Sequence, residues 1–229
     1  MPDFAAARAR MVETQLIARG LRDAAVLDAM RAVPREAFVA AGLGEDAYGD
    51  GPLPIGEGQT ISQPAVVALM IEALALQPGD RVLEIGAGCG YAAAVLARTG
   101  ARVFAIERHP ALGQAARERL AALGFASVEL RIGDGGDGWP EAAPFDAILV
   151  SAAGSTVPEV LKGQLREGGR LVIPVGPLGG QTLLRLTRRG PDRFESQDFG
   201  PVSFVPLLRG VGGGGGEMRS DDEGSSQRS

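Results

Sequence analysis

Residues 81–91 read "RVLEIGAGCGY", and the fold turns on what that stretch is. "RVLEI" is a short apolar run of the Val/Ile/Leu kind that a buried parallel strand favours. Gly86, Gly88 and Gly90 follow at once, and "YAAAVLART" then reads as helix. Outward from this point the strand-like runs recur as "ARVFAIE", "VELRI", "FDAILVS" and "RLVIPV", with helix-like "PALGQAARERLAALG" and "PEVLKGQL" between them. Strand and helix alternating in this way predict an α/β fold, a doubly wound and mostly parallel sheet covered on both faces. "QTLLRLTRR", "RFESQDFG" and "VSFVPLL" succeed one another without a helix, so the C-terminal end of the sheet is expected to be antiparallel.

A glycine turn between strand and helix lets a ligand approach the backbone, and the helix N-terminus offers free N–H groups. Tight packing alone also selects glycine there. The dinucleotide fingerprint is G-x-G-x-x-G, whereas this turn is G-x-G-x-G with Glu84 two residues ahead. That form suits a nucleoside joined to an amino acid, such as S-adenosyl-L-methionine, better than one carrying a pyrophosphate. Glu107 ends the next strand-like run, nineteen residues after Gly88, where a carboxylate can accept from both ribose hydroxyls. Asp134 and Gly135 end the third, where a carboxylate can accept from an adenine amino group. Three successive strand ends therefore point to one crevice. "DGGDG" at 134–138 lacks the alternating ligands and distal Glu of a calcium loop. Cys89 reads as a small packing residue, His109 as a surface histidine after a strand, and Trp139 as packing below the crevice rim.

Upstream the chain is helical. Gly20 is a candidate C-cap for "MVETQLIARG", Asp23 an N-cap for "AAVLDAMRAV", and Pro64 a first helical residue for "PAVVALMIEALAL". Between them lies "LPIGEGQTISQP" at 53–64, too stiff and polar for an ordinary strand. The 229 residues carry 23 basic and 28 acidic side chains, a net charge of −5, one His and one Cys. No cationic surface for nucleic acid is suggested, no intrachain disulfide is possible, and no metal site is expected. With no secretory signal and no run of about 20 apolar residues, a cytoplasmic monomer without membrane contact is the plain expectation. Residues 1–210 read as one domain, with a helical region and loop over 1–63 and an α/β core over 64–210. The Gly/Ser-rich and charged 211–229 should be disordered.

From about Met11 to Leu208 the chain resembles the protein-L-isoaspartate O-methyltransferases. The resemblance rests on "MVETQLIARGL", "VLDAMRAVPREAFV", "AYGDGPLPIGEGQTISQP", "LEIGAGCGY", "GDG", "APFDAILVSAA", "GGRLVIPVG" and "FVPL". The 53–64 loop is its most specific part. The resemblance implies a Rossmann-like methyltransferase fold and methyl transfer from S-adenosyl-L-methionine to the α-carboxyl of L-isoaspartyl residues in proteins and peptides. The ester then closes to a succinimide that opens partly to aspartate, which is protein repair. It implies Ser62 in the catalytic position, and Thr60, Glu84, Gly86, Ala87, Gly88, Cys89 and Gly90 with Glu107, Asp134 and Gly135 on the cofactor. An alternative within methyl transfer is a carboxyl methyltransferase acting on aspartate of one dedicated peptide natural product. A nicotinamide oxidoreductase on the same plan lacks the glycine spacing, and a non-catalytic binding module would not need the 53–64 loop.

The chemistry accounts for the loop's residues. A carboxylate acceptor is already ionised near neutrality and needs no general base. It needs aim and exclusion of water. Hydroxyl and backbone donors supply that without drawing charge from the nucleophile, as an Arg or Lys clamp would. Ser62 is read as a hydrogen-bond donor, not a covalent nucleophile, and capping of the following helix is open to it as well. The chain departs from the family at Ala87, Cys89 and Ala92, which stay small, and at Ser203 and the Gly154 region, which the resemblance places where the family meets its peptide.

Overall fold

The computed structural model describes residues 2–211, so the predicted disorder of the C-terminal tail falls almost wholly outside the described residues. At its centre is a seven-stranded sheet in the order β5-β4-β3-β6-β7-β8-β9. The strands are β3 (Arg81–Ile85), β4 (Arg102–Glu107), β5 (Glu129–Ile132), β6 (Phe145–Val150), β7 (Leu165–Val175), β8 (Gln181–Arg188) and β9 (Phe194–Val202). β3 to β7 pair in parallel, and β8 and β9 close the edge antiparallel. Chain order reverses between β3 and β6, where ligand crevices open in such sheets.

Because side chains alternate across a pleated strand, each strand feeds two cores. Val82, Val103, Ala105, Ala147 and Leu149 join one cluster, while Leu83, Ile85, Phe104, Ile106 and Ile148 join the other. The first is covered by α1 (Phe4–Met11), α2 (Ala24–Ala32), α3 (Pro64–Ala73), α4 (Tyr91–Arg98) and α5 (Pro110–Ala122). The second is covered mainly by the short α6 (Glu159–Gly163) and the turns around Trp139 and Ala142. Helix boundaries follow local chemistry. Gly20 turns the N-terminal helical region at φ +93°, Asp23 caps α2 by accepting from Val26 N, and Pro64 opens α3.

Two segments differ from their sequence reading. "LPIGEGQTISQP" contains an antiparallel hairpin, β1 (Leu53–Gly56) and β2 (Gln59–Ile61), turning at Glu57 and Gly58 with φ of +52° and +66°. A two-residue turn with positive φ matches strand twist, so a proline-bearing ribbon can pair at the edge where a central strand could not. "VSFVPLL" is not a further strand. β9 runs on to Val202, and residues 203–210 then leave the sheet as a strap across the strand ends, bridged to Ala153 at Pro206. Buried Gln181 starts that departure by giving and taking a hydrogen bond with the Phe204 backbone at 2.9 and 2.6 Å.

Candidate active site

The glycine loop leaves β3 over the end of β4, with Gly86 and Ala87 both donating to the Ile106 carbonyl. Gly86, Ala87, Gly88 and Cys89 line a cavity, and Gly90 does not. Gly90 caps α4 at φ +89°, and a Cβ there would sit 3.2 Å from Leu120, so it serves helix packing and the turn instead. Gly135 lines the cavity from β5's end, held so close that a Cβ would meet Ile85 at 2.4 Å.

Two carboxylates face this loop. Glu107 Oε2 accepts from Gly88 N at 2.7 Å, and Oε1 accepts from His109 N at 2.8 Å. One side chain thereby fixes the loop and the start of α5. Glu84 is 1% exposed, and its Oε2 has no hydrogen-bond partner. Burial, reinforced by the charge of Glu107, pushes its carboxyl up to about 8. Asp134 is placed differently from its sequence reading. Its two oxygens accept from Gly136 N at 2.8 Å and Gly210 N at 2.5 Å, and the residue ties the strap down rather than lining the cavity. These backbone donors hold its carboxyl below the ordinary range even though partial burial opposes them as the largest single influence.

The hairpin and the strap form the outer wall. Ile55 reaches to 3.0 Å from where a Gly88 Cβ would stand. Strap residues Val205 to Leu208 close the far side. Beyond them lies an open groove that shares Thr60, Ser62, Ser151, Val205 and Pro206 with the cavity. None of the groove's lining side chains is charged. Ser62 does not cap α3: the N-cap is Gln63, and no side chain supplies a capping bond. Ser62 stands at the wall common to both spaces.

His109 differs from the surface reading. Its side chain is 14% exposed, lines the cavity, and lies 3.8 Å from Glu57 of the hairpin turn through Nδ1. Cys89 is buried, and burial raises its thiol above the ordinary range. Trp139 packs edge-on against Phe104 at 5.6 Å in the second core, away from the cavity. Sequence reading missed Tyr91, Ser151 and the strap as cavity lining. Ser151 had a usable signal, since it follows a central strand next to the reversal of chain order. The strap had none, because its apolar residues read as a strand.

The architecture has close structural counterparts. A solved protein-L-isoaspartate O-methyltransferase superimposes with a TM-score of 0.79 at 31% identity, covering 90% of this chain and 67% of that one. A Plasmodium falciparum structure of the same type, in complex with S-adenosyl-L-homocysteine, gives 0.76 at 27% identity, covering 88% and 98%. Sheet order, crevice and glycine loop thus define a Rossmann-like methyltransferase. Among curated relatives, a protein-L-isoaspartate O-methyltransferase of Methylorubrum extorquens (strain PA1) is 82% identical over 93% of this chain and 92% of its own. One from Methylorubrum populi is 80% identical over 92% and 99%. The family model for protein-L-isoaspartate(D-aspartate) O-methyltransferase matches residues 7–212, and the chain belongs to that family.

Proposed function

We infer that the protein transfers a methyl group from S-adenosyl-L-methionine to the α-carboxyl of L-isoaspartyl residues in damaged proteins, the step that starts their repair. The observation that carries this is the meeting, at Ser62, of a cavity lined by the glycine loop and Glu107 with an uncharged groove. The family's names for its members point to the same substrate, and no observation favours a dedicated natural-product peptide.

The residues present fit the donor. S-adenosyl-L-methionine, when bound, supplies an electrophilic methyl on a cationic sulfur next to an ammonium group. A buried carboxylate oxygen without a partner at Glu84, with Glu107 nearby, is suited to such a cation. Glu107 retains lone pairs for ribose hydroxyls beside its bonds to Gly88 and His109. Gly86, Ala87, Gly88 and Cys89 would offer it close backbone, and Gly135 and Thr60, which also line the cavity, would complete the lining around it. We assign Asp134 to holding, through Gly210, the strap that would help enclose the cofactor.

Ser62 donates a hydrogen bond that aims the acceptor carboxylate. The carboxylate oxygen forms the new bond to the methyl carbon as the carbon–sulfur bond breaks and its electron pair returns to sulfur, so no proton need move. A groove without cationic side chains leaves the nucleophile its charge, and one without charges of either sign suits damaged chains of varied sequence. Residues 1–63 bring the hairpin, and 64–210 the cofactor side and the strap, of one catalytic unit, which we expect to act as a cytoplasmic monomer. Among the described residues no helix is long and apolar enough to cross a membrane. The test is labelled-methyl incorporation into an isoaspartyl peptide beside its aspartyl twin. Equal labelling of both, or of neither, would overturn the reading.

A further inference from the structure

Arg35 is buried without residual exposure, yet its neighbours are neutral. Nε donates to the Ala47 carbonyl at 2.7 Å, Nη2 donates to the Ser62 carbonyl at 2.8 Å, and Nη1 has no partner. The guanidinium carbon lies 4.9 Å from the centre of the Tyr91 ring. Among the described residues no carboxylate pairs with it. Burying a cation on carbonyl dipoles and one ring is unfavourable relative to an apolar side chain of similar volume. Packing alone does not call for an arginine here.

What the arginine touches explains its presence. Ser62 stands between two regular elements. The last hairpin pair is Leu53 with Ile61, and the first carbonyl used by α3 is that of Gln63. Neither strand nor helix therefore offers the Ser62 carbonyl a donor, and Arg35 supplies one. Tyr91 is the first residue of α4, directly after the glycine loop, and it lines the cavity. Ala47 sits in the turn at 46–48 that leads into the hairpin. One rigid planar group thus spans the joint that carries Ser62 and the element that carries the loop.

We propose that Arg35 is a positioning residue for methyl transfer, its guanidinium setting the backbone of Ser62 at a fixed distance from the glycine loop so that the serine hydroxyl aims the acceptor carboxylate at the methyl. The proposal rests on the assignment of Ser62 given above. A lysine cannot replace the fork, since a single ammonium cannot hold two carbonyls in one plane while stacking on a ring.

The test compares Arg35→Lys and Arg35→Met in the wild-type and Ser62→Ala backgrounds, with turnover counted per molecule that binds S-adenosyl-L-homocysteine. Either substitution should lower kcat on an isoaspartyl peptide by about tenfold or more, because misplacement of order 1 Å carries such losses. The cofactor Kd should move by less than about threefold, since the cofactor's own contacts remain. In the Ser62→Ala background the same substitutions should cost less than about threefold, because the group being aimed is gone. Full kcat in either variant would overturn the proposal. Equal losses in both backgrounds would also overturn it, by showing that Arg35 does not act through Ser62. If neither variant folds, Arg35 belongs to the fold alone and the proposal fails. Wild-type kcat in Ser62→Ala alone would instead sink the assignment of Ser62, a result visible before any change at Arg35.

Discussion

The two walls of the site are built by different means. The cofactor wall stands on β3 and β4, each hydrogen-bonded to a strand on both sides, and its donors are backbone groups at strand ends. The acceptor wall is a two-stranded hairpin outside the main sheet and a strap joined to Ala153 by a single bridge. Rigid backbone suits a ligand of one shape. A hairpin and strap suit a substrate whose neighbouring residues vary, as loops on a fixed scaffold generally do. The division predicts that changes in the first wall, or in the strap where it closes the cofactor cavity, will alter cofactor affinity, and changes at the Ser62 end of the hairpin will alter turnover.

The largest effect should come from Glu107, which fixes the cofactor wall. Glu107→Ala removes the acceptor for Gly88 N and His109 N, together with the carboxylate proposed to accept from the ribose hydroxyls. The expected loss is about 2–3 kcal/mol, or roughly 30- to 150-fold in Kd for S-adenosyl-L-homocysteine by calorimetry. If the affinity held while turnover fell, the boundary between the walls would be drawn in the wrong place.

Ser62→Ala is the matching change on the other wall. One lost donor to a charged group is worth roughly 1.5–3 kcal/mol, or about ten- to a hundredfold in turnover, with cofactor affinity nearly intact. Since Ser62 caps nothing, melting temperature should change little. A serine acting as nucleophile would abolish turnover altogether, and the wild type would yield a methylated serine by mass spectrometry. That product would sink direct transfer to the carboxylate.

The same division explains what the sequence made legible. The sheet, its parallel core and its antiparallel edge were readable because buried strands concentrate Val, Ile and Leu between glycines, as in 81–91. Glu107 was readable because strand-end position and loop spacing are local facts. Asp134 was legible only in part. Its location at a strand end was local, but the donor that turns it toward the strap is Gly210, 76 residues away. The hairpin escaped because Pro54 and the polar residues obscure alternation in strands of only four and three residues. The strap escaped because leaving the sheet depends on Gln181 capturing Phe204, a pairing across 23 residues with no mark in either segment. Arg35 escaped for a similar reason: nothing in "VPREAF" shows that its charge is buried.

A smaller effect tests the electrostatics of the cofactor wall. Glu84 has its folded-state carboxyl raised from 4.5 to about 8, chiefly by burial. Below 4.5 both folded and unfolded chains hold the proton, and between 4.5 and 8 the unfolded chain releases it first. This group's contribution to stability is therefore full at low pH and declines as pH rises through the window, levelling above 8. From pH 7 to 8 the ligand-free protein should lose about 1 kcal/mol on this account, or 2–4 °C in melting temperature. Glu84→Gln should flatten that slope. An identical slope in wild type and variant would show that Glu84 is already ionised across this range in the ligand-free protein.

The smallest effect marks where the acceptor wall ends. Gly210 donates to Asp134, its carbonyl accepts from Arg108 at 3.2 Å, and Arg209 pairs with Asp137 at 2.8 Å. Every one of these ties is complete by residue 211. Gly212 to Ser229 contain five consecutive glycines and a single large apolar side chain, Met218, too little to bury a core. Truncation after Val211 should therefore leave melting temperature within about a degree and turnover within about twofold. Truncation after Ser203 is the informative contrast. It removes Val205 to Leu208 from the cavity lining and frees Asp134, so it should weaken S-adenosyl-L-homocysteine binding while the sheet, complete at Val202, still folds. If the shorter and longer truncations behaved alike, the strap would be no part of either wall. If removing 212–229 alone lowered turnover, the acceptor wall would extend beyond the residues assigned to it.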